Sequence, residues 1–161
     1  MSVSQTFDDL YALFNDTSKW TLSGITFPAR VFEDPTETID LIDFPALVLA
    51  YDWNYDHQLQ YHADSRSHHK YGIAIYMFLG GPSTPLEELH QRARLSWPYQ
   101  IFKILAGSIT LGGDIEFLGS GENEVFLPYR VGFWPWGGGQ RYWGYRFTLI
   151  ANEEGIETYA A

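Results

Sequence analysis

Hydrophobic positions along this chain change period several times, and each change marks an element. From about Thr6 to Asp16, Phe7, Leu10, Tyr11, Leu13 and Phe14 recur at the spacing of an amphipathic helix. Thr6 with Asp9 three positions later, T-x-x-D, resembles a capping box and sets the expected helix start. The next tract, TLSGITFPARVFEDPTETIDLIDFPALVLAYDWN, contains Pro28, Pro35 and Pro45, which exclude a helix interior and push the residues before them into extended conformations. Within it, Ile25 to Phe32 predicts a short edge segment and Ala46 to Trp53 a strand rich in Val, Leu and aromatics. Tyr55 to Lys70, YDHQLQYHADSRSHHK, is polar with little apolar period, so a long exposed connection is expected there. It returns into YGIAIYMFL, Tyr71 to Leu79, an almost continuous apolar run expected to be covered on both faces. The two strands are expected to pair as a long β-hairpin.

After Gly80-Gly81-Pro82 the sequence STPLEELHQRARL predicts a capped helix, with Thr84 as cap, Pro85 at the first helical position and Glu87 completing the box. Leu86, Leu89, Ala93, Trp97, Ile101, Ile104 and Leu105 carry one apolar face on to Gly107. Pro98 is expected to kink this helix or split it after Leu95, with Ser96 capping the second piece. Gly112-Gly113-Asp114 predicts a turn into IEFLG, and strands follow at roughly Val125 to Trp134 and Gln140 to Ala151, joined by Gly137-Gly138-Gly139. The tail from Asn152 to Ala161 is polar and expected to be loose. Strands grouped on either side of a central capped helix indicate an α+β fold, a mainly antiparallel sheet packed on one face by helices, and a single domain over residues 1–161.

Composition adds two facts to this outline. The aromatic share is 17%, with Trp 6, Tyr 11 and Phe 11, and it is concentrated in FWPWGGGQRYWGYRF, Phe133 to Phe147. The formal net charge is -10, which argues against a protein that holds nucleic acid by neutralising phosphates. An acidic wall repels phosphate, however, and suits a channel through which DNA must slide. Cysteine is absent, leaving neither a thiol nucleophile nor a disulfide framework. The start MSVSQTFDDLYALF does not read as a signal peptide, and no run approaches the roughly 18 apolar residues of a membrane span, so a soluble chain is expected.

Catalytic chemistry finds little footing. His57, His62, His68 and His69 fall in one polar tract, but their spacing does not place two ligands on one helix face, so exposed histidines are expected there rather than a metal site. The serine elbow G-x-S-x-G, the dinucleotide fingerprint G-x-G-x-x-G and the phosphate loop G-x-x-x-x-G-K-[ST] are all missing. Asp40 with Asp43, and Asp52 with Asp56, are carboxylate pairs of the kind common on acidic surfaces. Neither an enzyme nor a cofactor is expected. Phe133, Tyr145 and Phe147 lie inside the strand pattern and read as core. Trp134, Trp136 and Trp143 lie nearer the glycine loop, where one small core cannot bury all three. They read either as anchors of a protein interface or as a platform that stacks on sugars or bases with Arg141 beside it.

The succession of a short N-terminal helix, RVFEDP followed by FPALVLAY, the returning strand YGIAIYMFLGG, the capped helix TPLEELHQRARL and the closing strand YWGYRFTLIAN resembles the tail terminator (tail completion) proteins of long-tailed bacteriophages, over roughly Phe7 to Asn152. The resemblance implies a structural virion protein assembled in the host cytoplasm, forming a homohexameric ring at the head-proximal end of the tail tube. Such a ring stops tube polymerisation and contacts the tail tube protein and the head-side connector or stopper, while DNA crosses the lumen without specific binding. The loop Tyr55 to Lys70 and the loop Phe133 to Trp143 then become the candidate contact regions, with Trp134, Trp136, Arg141, Tyr142, Trp143, His57, Tyr61 and His68 as candidate interface residues. The alternatives are another neck, connector or tube protein of the particle, and a carbohydrate-binding module built on the Trp-rich loop.

Overall fold

The computed structural model describes residues 3–22, 28–36, 38–61, 66–108, 115–118 and 127–156. The chain runs through helix α1 (Val3–Phe14) and strands β1 (Arg30–Phe32), β2 (Ala46–Tyr51), β3 (Gln58–Tyr61) and β4 (Arg66–Gly80). Helices α2 (Leu86–Ala93) and α3 (Trp97–Ala106) follow, then strands β5 (Ile115–Leu118), β6 (Tyr129–Pro135) and β7 (Arg141–Ile156). All the strands join one seven-stranded sheet in the order β1-β2-β4-β7-β5, with β3 also beside β4 and β6 beside β7. Only β1 and β2 are parallel; the other pairs are antiparallel. This is the α+β architecture expected from the sequence, and β2 with β4 forms the expected hairpin.

The two long strands organise everything else. β4 has 15 residues and β7 has 16, and they pair from Arg66 opposite Ile156 to Gly80 opposite Trp143. Strand alternation sends Leu47, Leu49, Tyr71, Ile73, Ile75, Met77, Tyr145, Phe147 and Leu149 to one face, where Leu10 and Phe14 of α1, Leu89 of α2 and Trp97, Ile101 and Ile104 of α3 cover them. On the opposite face a smaller core gathers Ile39, Phe44, Ala46, Val48, Phe78 and Tyr142 beneath the segment between β1 and β2. Gln100 of α3 is fully buried; its amide accepts from the Thr21 and Leu22 N–H groups and donates to the Lys19 carbonyl, tying the end of the first helical region to the third helix. At Gly144 the strands press so close that a Cβ would stand 2.1 Å from the Met77 carbonyl oxygen, so only glycine fits.

Several sequence expectations are corrected. α1 begins at Val3, so Thr6 is not its cap; the Thr6 hydroxyl is buried and lies 3.0 Å from Glu153 Oε1. α2 takes Pro85 as its cap residue, and Thr84 Oγ1 instead accepts from the Gly81 N–H, closing the turn before the helix. Pro98 does split the central helix, and Ser96 occupies the N-cap position of α3 without a side-chain cap bond. Leu86, expected on the apolar face, is 80% exposed. The tract from Tyr55 to Lys70 is not simply a connection, because Gln58–Tyr61 and Arg66–Lys70 pair as a polar extension of the sheet; residues 62–65 lie outside the described residues. The tail is likewise ordered as far as Ile156, which closes β7 against β4. The expected strand at Ile25, the turn at Gly112 to Asp114 and the strand start at Val125 lie outside the described residues.

Candidate functional site

The glycine loop folds back onto its own sheet. Trp134 and Trp136 sit on the face away from the helices with Tyr142, whereas Trp143 pairs with Phe133 and packs on the helix side. The three tryptophans therefore do not form one platform. Trp136 meets Tyr76 and Phe78 edge-on, each with ring centroids 5.0 Å apart, and its indole N–H donates to the Thr36 carbonyl. Trp134 donates to the Gly144 carbonyl at 3.2 Å. Gly139 at the loop end has φ +74, the left-handed conformation glycine adopts without steric cost.

Tyr142 is a core residue, not an interface anchor. It is 1% exposed, its hydroxyl donates to Gln140 Oε1 and accepts from the Ile39 N–H, both at 2.9 Å, and its ring meets Phe44 and Phe78 edge-on. His57 is half-buried. Its ring stacks on Tyr51 at 4.4 Å, and the Gly72 N–H donates to its Nδ1. With Nδ1 accepting, Nε2 is the ring nitrogen that donates to the Asp52 carbonyl 2.8 Å away. His68 is half-buried opposite Gln60, Tyr61 is exposed on β3, and Arg141 is exposed at the start of β7. Of the residues assigned to the core, Tyr145 and Phe147 are buried, but Phe133 is 57% exposed, with no helix over it among the described residues. Among the described residues no group of three His, Cys, Asp or Glu is placed to hold a metal ion.

A trough opens between the aromatic loop and the end of β2. Ala50 and Ala74, small residues side by side on the face away from the helices, form its floor; Tyr51, Trp53, Tyr76, Trp136, Pro35 and Pro135 wall it over a volume of about 380 Å³. Arg146 crosses this face, donating to Asp52 Oδ1 at 2.7 Å, Thr148 Oγ1 at 3.1 Å and the Tyr76 hydroxyl at 3.2 Å, with its guanidinium over the Tyr76 ring. Burial alone would pull the Arg146 pKa down, but Tyr76 and Asp52 outweigh it and the net shift is upward. Asp52 is 3% exposed and Arg146 partly buried, and both partners of this ion pair make further hydrogen bonds. Sequence reading grouped Asp52 with Asp56 and missed Arg146 and Trp53; only the pairing of β2 and β7 with the intervening β4 brings them together.

No protein-family model matches this chain, and no curated protein matches it. No helix among the described residues is long and apolar enough to cross a membrane.

Besides Leu41, Ile42, Leu86 and Tyr99, exposed apolar side chains stand on two edge strands of the sheet. On β6, Tyr129, Val131 and Phe133 point the same way at 51%, 50% and 57% exposure. On β3, Leu59 and Tyr61 are 84% and 55% exposed. Each strand is hydrogen-bonded to a neighbour on one side only among the described residues.

Proposed function

We propose that this chain is a structural assembly protein, a ring-forming tail terminator of a long-tailed phage particle, acting without catalysis or a cofactor. The observation that carries the reading is the row Tyr129, Val131 and Phe133, standing out on a strand that is unpaired on one side among the described residues. Exposed edges bearing large apolar side chains invite pairing with another chain, and proteins that remain monomeric blunt them. A partner subunit covers such a row, and the tail tube protein and head-side connector are the partners that the sequence resemblance implies. The net charge of -10 supports a lumen that a polyanion crosses without adhering. Imaging particles from cells with and without the protein tests the reading: abnormally long or headless tails in its absence are expected. Tails of normal length joined to heads would sink it.

The trough favours a second reading as a saccharide site. A sugar binder needs a stacking ring with polar groups beside it, and Trp53, 85% exposed, stands there with Asn54 and Arg146. Titration with a glycan panel, following Trp fluorescence, tests it; loss of the response in Trp53→Ala is expected on this reading, and no response to any glycan would remove it.

A further inference from the structure

The two strands left unpaired on one side among the described residues, β3 and β6, are complementary to each other. β3 is antiparallel to β4 and so runs with β7; β6 is antiparallel to β7 and so runs with β4. β3 and β6 therefore run in opposite directions on opposite sides of the sheet. Their exposed residues also share a face. Leu59 and Tyr61 pair with His69 and Ser67, in phase with Tyr71 and Ile73 on the helix side, and Tyr129, Val131 and Phe133 pair with Phe147, Tyr145 and Trp143 on that same side.

We propose that copies of this chain join head to tail, with β6 of one protomer pairing antiparallel with β3 of the next so that the two apolar rows merge on one face of a continuous sheet. The proposal rests on the reading that the chain assembles with itself. Few registers are open to it. β3 has four residues and β6 has seven, so complete overlap that keeps the apolar residues on one face places Leu59 opposite Val131 or opposite Phe133 and nowhere else. A contact between two different edges is heterologous, and repeated around an axis it closes a ring.

Charge selects the same arrangement. Residues 127–151 contain Arg130, Arg141 and Arg146 and no Asp or Glu. Arg146 is committed to Asp52, while Arg130 and Arg141 are exposed and pair with no carboxylate among the described residues. The acidic residues cluster elsewhere in the sequence: between Arg30 and Arg66 there is no Lys or Arg, and Glu33 and Asp34 follow directly on β1, whereas Asp40 lies by Gln140 and Tyr142. Glu33 is hydrogen-bonded to Asp8 with Asp34 nearby, and this crowding of carboxyls raises its pKa. Because β6 runs with β4, its far end and the turn from Pro135 to Arg141 are carried along the neighbour from the level of Lys70 towards that of Tyr76. Val48 pairs with both Phe32 and Tyr76, so that level is where β1 ends and Glu33 and Asp34 follow. An arginine arriving there meets carboxylates that have no cation of their own among the described residues.

The absence of cysteine makes the test direct. Val131→Cys, Phe133→Cys and Leu59→Cys are prepared as single variants of the full chain, oxidised alone and in pairs, and read on non-reducing gels. A linked dimer in the mixture of Leu59→Cys with either Val131→Cys or Phe133→Cys, and none in the separate variants, is expected, because antiparallel neighbours lie within disulfide reach. Links within Val131→Cys or Phe133→Cys alone would replace the head-to-tail joint with a two-fold one and overturn the proposal. No link in either mixture would also overturn it; light scattering that still shows ring-sized species would then leave the terminator reading standing, and tail length tests that reading separately. Arg141→Glu is expected to raise the concentration for half-assembly about tenfold, with recovery in Arg141→Glu/Asp34→Arg. An assembly indifferent to both changes would remove the charge argument and with it the orientation.

Discussion

Asp52 Oδ1 accepts from Arg146 Nη2 at 2.7 Å although the two residues are 94 apart in the chain, and this one contact spans the face of the sheet opposite the helices. Removing only the carboxylate leaves a partly buried guanidinium without its counter-charge. Asp52→Ala is expected to cost about 3–5 kcal/mol of unfolding free energy in urea titrations. Asp52→Ala/Arg146→Met is expected to recover most of that loss, since an apolar pair of similar volume does not carry the desolvation cost. A double variant no more stable than the single one would show that the hydrogen bonds to Tyr76 and Thr148 matter more than the charge pair.

Trp136 and Phe133 should separate folding from assembly. Trp136 is half-buried against Tyr76 and Phe78, and Trp136→Ala is expected to destabilise the protomer by about 2–3 kcal/mol. Phe133 stands out from an edge, and Phe133→Ser is expected to leave stability within about 0.5 kcal/mol while weakening self-association. Thermal melts paired with light scattering on both variants check this, and a Phe133→Ser protein that melts early would place that ring in a core.

Gly144→Ala is expected to cost about 3 kcal/mol or more, because the new methyl group meets the Met77 backbone rather than a movable side chain. Circular dichroism melts read the loss directly. A melting temperature equal to wild type would mean that β4 and β7 can part at this point without penalty.

Burial pushes the Tyr71 and Tyr145 phenols above the ordinary tyrosine range. A raised folded-state pKa stabilises the fold fully below the unfolded value of about 10, and that stabilisation is lost as pH rises beyond it. Urea midpoints measured from pH 7 upward should therefore hold steady with respect to these groups until about pH 10 and then fall. Tyr71→Phe is expected to flatten the fall. It should also lower the plateau, because the Tyr71 hydroxyl is 2.7 Å from Glu153 Oε1 and 2.9 Å from Thr6 Oγ1. An unchanged slope would assign the alkaline loss to other groups.

The helices and the apolar strands were legible because their periods are strong: Leu89, Trp97 and Ile101 repeat on a helix face, and Tyr71 to Leu79 is apolar almost throughout. The polar ribbon was not. Q-L-Q-Y and S-H-H-K have no buried face to create a pattern, and they are extended because they prolong a hairpin whose pairing is already fixed further in. Thr6 was misread as a cap because T-x-x-D is a local signal, whereas its partner Glu153 comes from the other end of the chain. The aromatic loop stands out in the sequence, but its division between two faces depends on strand parity, which needs the register of Phe133 opposite Trp143. The trough was out of reach for the same reason, since its floor of Ala50 and Ala74 exists only once β2 and β4 are side by side.

The pairing of β4 with β7 along nearly their whole lengths has a mechanical consequence. Force applied along the strands loads every rung of that ladder at once, as in shear, whereas force across them opens the rungs one after another, as in a zip. The protomer is therefore stiff along its strands and compliant across them. The short outer strands β3 and β6 are the parts that should yield first when the fold is strained.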